Sequence, residues 1–143
     1  DQGAMLLVDY GYPRAEYYLP SRSTGTLLCY FRHHAHGDPF VWPGLNDITA
    51  FVDFTAIAEA GFEAGLDVLG YTDQANLLFN CGVLACLARR APEDSVDYIR
   101  AAKAVQRLTG PHEMGELFKV IAMGRGIEQP LIGFLRGDRL HAL

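Results

Sequence analysis

Residues 4–12, AMLLVDYGY, decide how this chain folds. Ala4 to Val8 is an unbroken apolar run, and it ends in an acid, an aromatic and, at Gly11, a glycine. A short apolar run bounded by a turn signal is the pattern of a central strand in a parallel sheet, buried because helices cover both faces. Ligands of open α/β sheets sit just beyond the carboxyl ends of such strands. Asp9 and Tyr10 fall at that place, and Gly11 permits a tight or left-handed turn. The plainer reading makes Asp9 a cap of the next turn and Tyr10 a packing residue.

The composition around this stretch is that of an ordinary soluble domain. Half of the 143 residues are apolar and the formal net charge is −5, enough for one core but not for two domains. Mild acidity argues against a nucleic-acid face, which needs clustered Lys and Arg. No apolar run approaches the roughly 18–20 residues of a membrane helix, and no basic segment precedes an apolar one as in a signal peptide. Cys29, Cys81 and Cys86 contain no CxxC pair, so a reducing, cytoplasmic compartment is expected. A parallel strand needs parallel neighbours reached through crossovers, yet only three residues precede Ala4 and no Met opens the chain. The expectation is the later part of a longer protein.

Downstream, the pattern alternates strands and helices. A polar, aromatic loop, Tyr12–Ser23, leads into a strand at Thr26–Arg32. Asp47–Phe54 reads as one extended piece, with Asp53 as N-cap of a helix through Ala64 and Gly65 at its C′ position. Phe54, Ile57, Ala58 and Gly61 form its inner stripe. Leu66–Tyr71 is the next strand and completes a β-α-β unit. Thr72 or Asp73 caps a helix from Gln74 to Arg90, whose stripe includes Cys81 as a small core residue. Pro92 starts another helix, which Gly110-Pro111 stops. Leu117–Met123 is the last strong strand, carrying Lys119 in an apolar run, and Leu131–Leu135 docks after it. The tail, with Arg136, Arg139 and His141, reads as solvated.

Several side chains suit chemistry. His33, His34 and His36 cluster near Asp38, but adjacent histidines converge poorly on one ion and the spacing fits no closed zinc pattern, so no metal is expected. One of these histidines could instead meet an anionic or hydroxylic substrate group, since imidazole titrates near neutrality. Asp47 and Thr49, two apart on an extended segment, share a face suited to a polar substrate group. Gln74 lies in the first turn after a strand, where ligands are met. GxGxxG, the Walker loop, HExxH and GxSxG are all absent from the sequence. The residues alone leave open a group-transfer enzyme, a protein-binding module and a structural half-domain.

The ordered blocks LLVDYGY, GTLLCYFRHHAHGDPF, PGLNDITAFVDFTAIAEA, GLDVLGYTDQANLLFNCG, EMGELFKVIAMGRG and PLIGF carry a resemblance. Together they resemble the C-terminal part of the MidA-like class I S-adenosylmethionine-dependent methyltransferases, a family that includes the mitochondrial complex I assembly arginine methyltransferase. The resemblance runs from Gly3 to Leu143. It implies an α/β fold, the C-terminal part of a Rossmann-like methyltransferase sheet with an added strand and loop insertion. LLVDYGY would be a late central strand, followed by LDVLGY and an antiparallel LFKVIAM. S-adenosyl-L-methionine would be the cofactor, its glycine-rich loop lying upstream of Asp1. The implied partner is a protein substrate such as a respiratory complex I subunit, with self-association where missing strands should pack. Catalytic positions carried over are Asp9, Tyr10 and Asp47. Substrate-binding positions are His33, Thr49, Asp53 and Gln74. The family usually reads DITAHVDF, whereas Phe51 stands here in place of that histidine. The alternatives are a non-catalytic assembly module and an inactive folded fragment.

Overall fold

The computed structural model describes residues 2–90 and 95–143. Four strands form the main sheet: β1 (Gly3–Tyr12), β5 (Val52–Asp53), β6 (Asp67–Asp73) and β7 (Phe118–Arg125), in the order β5-β1-β7-β6. β1 and β5 run parallel, while β7 is antiparallel to both β1 and β6. The mixed α/β architecture and the antiparallel final strand are as expected. The β-α-β unit is real in direction, but its strands β5 and β6 are not neighbours: β1 and β7 lie between them.

Three further strands make a separate small antiparallel sheet in the order β3-β2-β4: β2 (Leu28–Phe31), β3 (His34–His36) and β4 (Asp47–Thr49). The extended piece from Asp47 is therefore two short strands in two sheets. The strand expected at Thr26–Arg32 ends at Phe31, because Arg32 and His33 both adopt positive φ, 48° and 68°. They form the two-residue tip of the hairpin, where a primed turn matches the twist of the strands.

Helix α1 (Arg14–Tyr17) follows β1, and α2 (Phe54–Glu63) follows β5. Asp53 caps α2 as expected, accepting the Ala56 N–H at 3.1 Å, and Gly65 closes it with φ of 78°. Phe54, Ala58 and Gly61 face the sheet, where Phe54, Tyr71, Ile121 and Met123 make the core on that side. The opposite side packs Val120, Ala122 and Phe134 with Leu69, Leu77 and Leu131. Residues 131–135 dock as expected, through a short 3-10 turn at 132–134.

Four readings are corrected. β1 is not fully buried: Met5, Leu6 and Val8 are 41%, 52% and 45% exposed. β7 covers one of its edges, but among the described residues β5 reaches the other only at Gly11 and Tyr12. Gly11 makes no left-handed turn; it is strand, and the residue is glycine because a Cβ would lie 2.3 Å from the Val52 carbonyl oxygen. The long helix expected from Gln74 breaks into α3 (Gln74–Asn80) and α4 (Val83–Ala88). Gly82, at φ of 80°, turns the chain there and leaves Cys81 exposed rather than in the core. The tail is not merely solvated: Arg139 donates its N–H to the Tyr71 carbonyl at 2.7 Å, and Leu143 packs on the core.

Ser95 caps α5 (Val96–Thr109) through the Tyr98 N–H, and the start expected at Pro92 lies outside the described residues. A short helix the pattern did not show, α6 (Met114–Leu117), leads into β7.

Candidate active site

β1, β5 and β6 all point their carboxyl ends to one rim of the sheet, the rim from which β7 departs. Asp9 and Tyr10 sit near the end of β1. The Asp9 carboxylate is exposed and accepts the Tyr10 N–H at 2.7 Å. The Tyr10 ring lies against Phe118, with centroids 4.1 Å apart, and 6.3 Å from Phe51. Phe51 also approaches Tyr12 at 5.3 Å. These four rings form an aromatic wall on the sheet face opposite to the one that carries Asp9. The Arg22 guanidinium stacks 3.9 Å over Tyr12, so this wall already holds one guanidinium face-on.

Asp53 pairs with Tyr12 across the parallel ladder. Besides capping α2, its carboxylate lies 3.5 Å from the Arg14 guanidinium. Arg14 in turn grips Glu59 with two hydrogen bonds of 2.7 and 2.5 Å. That bidentate contact holds the exposed Glu59 carboxyl below its usual range and raises Arg14.

Asp47 and Thr49 share a face of β4, as the two-residue spacing predicted, opposite Tyr30 and Leu28 of β2. Neither side chain is hydrogen-bonded among the described residues, and Asp47 is exposed. His33 stands at the hairpin tip in a left-handed conformation that ordinary side chains adopt only at a cost of about 1–3 kcal/mol. Gln74 is engaged structurally: its amide donates to the Leu108 carbonyl at 2.8 Å and ties α3 to α5. Among the described residues, the only hydrogen bond within the seven candidates is the Tyr10 N–H to Asp9.

Sequence reasoning missed a hollow at this rim. A cavity of about 470 Å³ opens between Tyr12, Glu16, Asp73, Lys119, Arg139 and the segment 111–117. Lys119 is its innermost charge, 6% exposed. The ladder sets it opposite Asp9 on one side and Asp73 on the other. Both carboxylates turn elsewhere: Asp9 to its neighbour's N–H, and Asp73 to the Asn76 backbone and side-chain amides, each at 2.8 Å. The Lys119 amine donates instead to the Glu116 carbonyl. Burial, and after it the charge of Arg139, pushes its pKa below the ordinary lysine value. A lone lysine in an apolar strand was the legible signal; nothing local could show that Arg139 returns to meet it.

A nucleoside cofactor needs a glycine-lined cradle that backbone can approach. Among the described residues the strand glycines do not supply one. Gly11 is filled by Val52 and Phe54, Gly70 by Phe134, and Gly124 by Gly3 and Leu69. The residues present form a polar and aromatic wall, not a cofactor loop.

A model of putative S-adenosyl-L-methionine-dependent methyltransferases matches residues 1–72. The mitochondrial protein arginine methyltransferase NDUFAF7 homolog of Drosophila melanogaster is 31% identical, over 94% of this chain and 31% of its own length. The mitochondrial NDUFAF7 protein arginine methyltransferase of Rattus norvegicus is 30% identical, over 85% and 26%. A crystal structure of a likely methyl transferase from Burkholderia thailandensis, bound to S-adenosyl-homocysteine, is 57% identical with a TM-score of 0.94. It covers 99% of this chain and 36% of that one. An uncharacterized protein from the same organism superimposes with a TM-score of 0.96 at 56% identity, covering 99% and 38%. The chain therefore spans about a third of the length of the relatives it matches. With strand order, rim and sequence in agreement, the chain belongs to the family of putative S-adenosyl-L-methionine-dependent methyltransferases.

Proposed function

We propose that this chain is the C-terminal, acceptor-side part of a methyltransferase domain. In the complete protein it would place an arginine nitrogen of a protein substrate in line with the methyl group of S-adenosyl-L-methionine. The observation that carries the reading is the near-complete superposition on a relative that holds the demethylated cofactor, S-adenosyl-homocysteine. The edge of β1 that β5 meets, among the described residues, only at Gly11 and Tyr12 supports it, since Met5, Leu6 and Val8 are exposed and would be covered by further elements of a larger sheet. The same apolar surface, left open, favours self-association.

The cofactor supplies an electrophilic methyl group; these residues would orient the acceptor. Methyl transfer to nitrogen is in-line displacement, in which alignment contributes most. Carboxylates of Asp9, Asp47 and Asp53 would hold the guanidinium and accept the proton it loses. Tyr10 would stack on its plane, as Tyr12 does with Arg22. His33, Thr49 and Gln74 would contact neighbouring parts of the substrate. The proposed substrate is a respiratory complex I-type subunit, and the proposed setting a reducing, cytoplasmic-type compartment, in keeping with three unpaired cysteines.

A second reading, a protein-gripping assembly module without turnover, draws on the apolar side chains of the insertion. Phe40 and Leu45 there are 84% and 66% exposed. Transfer of a labelled methyl group from S-adenosyl-L-methionine to a protein fraction by the complete protein separates the two. Label on arginine supports the proposal; stable association without label refutes it. Titration with the donor should give clear binding to the complete protein and none by this chain alone.

A further inference from the structure

We infer that the cavity at the carboxyl rim of the sheet is a carboxylate-binding site, with Lys119 as its anchor and Arg139 as its second cation. It goes beyond the methyltransferase reading and does not depend on it.

Lys119 is nine-tenths buried, and among the described residues no carboxylate lies within ion-pair distance of its amine. Its recorded partner is one backbone carbonyl, that of Glu116, although an ammonium has three protons to donate. Buried charges are otherwise paired, because removing them from water unpaired is costly. The surrounding acids are engaged or peripheral. Asp73 spends both oxygens on Asn76. Glu16 lies 3.6 Å from Arg139, and Glu113 and Glu116 are exposed. A second polar group on the same side is also unsatisfied. Among the described residues the buried Tyr71 hydroxyl has no partner, although Tyr71 does not itself line the cavity. Register places Tyr71 two residues before Asp73 on β6, on the sheet face that carries Lys119.

A planar carboxylate matches this set. One oxygen can accept from Lys119 and the other from Arg139, whose contact with Glu16 is long enough to be shared. The cavity, about 470 Å³, admits a group the size of an acidic side chain or a chain terminus. Binding there would also oppose the lowering of the Lys119 pKa by burial and Arg139.

The test uses the protein carrying this full chain, with Lys119 followed by NMR at its ε carbon. Succinate is the probe, and succinamide and inorganic phosphate are the controls. Succinate should saturate with a Kd on the order of 1 mM and raise the pKa of Lys119. Succinamide should bind at least about 30-fold more weakly. Lys119→Met should abolish succinate binding. If that variant fails to fold, Arg139→Gln, on the outer wall, should weaken binding about 5- to 10-fold. The inference is overturned by the absence of saturable binding, by equal binding of the amide or of phosphate, or by a Lys119 pKa that succinate does not move.

Discussion

Asp53 offers the sharpest separation of structure from chemistry, because its carboxylate has a measurable structural task. It caps α2 through the Ala56 N–H at 3.1 Å and stands 3.5 Å from Arg14. Replacing an N-cap Asp by Ala costs about 1 kcal/mol. The contact with Arg14, 45% exposed and already committed to Glu59, adds about 0.2–0.5 kcal/mol. The sum, about 1–1.5 kcal/mol, corresponds to a fall in Tm of about 3–5 °C for a chain of this size. Asn caps as well as Asp, so Asp53→Asn should stay within about 2 °C of the original. Thermal unfolding followed by circular dichroism of Asp53→Ala and Asp53→Asn reads both. If Asp53→Ala melts with the unaltered chain, or Asp53→Asn falls as far as Asp53→Ala, the cap argument is wrong. In the complete protein, a loss of methyl transfer by Asp53→Asn at unchanged Tm would be the signature of a carboxylate that also holds substrate.

Three other outcomes are expected. Asp47→Asn, at an exposed side chain without hydrogen bonds among the described residues, should leave Tm and donor affinity nearly unchanged while slowing methyl transfer by the complete protein about 10²–10⁴-fold; unaltered turnover removes Asp47 from the mechanism. Gly11→Ala drives a Cβ into the Val52 carbonyl and the Phe54 ring, at 2.3 and 2.7 Å, and should cost about 1–3 kcal/mol, read in chemical denaturation. For Lys119, folding lowers the pKa below its ordinary 10.5. The unfolded chain then binds the proton more tightly, so stability rises with pH from the folded pKa up to about 10.5. Lys119→Met lacks this dependence, and the difference in Tm should move in favour of the lysine protein between pH 7 and 10. A constant difference would show that Lys119 keeps its ordinary pKa in the fold.

Local chemistry was legible in the residues themselves. The apolar run before Asp9, the Asp53 cap with Gly65 closing the same helix, and the Asp47–Thr49 face all follow from short-range rules of period, capping and left-handed backbone. Those rules act over one or two turns of chain, and the structure honours them. What a residue meets from far along the chain is another matter. That β7 separates β1 from β6 depends on ladder pairing between segments about 45–120 residues apart. Gly11 reads locally as a turn; only the approach of Val52 makes it a close-packed strand glycine. The hollow around Lys119 needs Arg139, whose backbone is held by Tyr71. Burial and the balance of charge are sums over such distant neighbours, and tertiary structure alone supplies them.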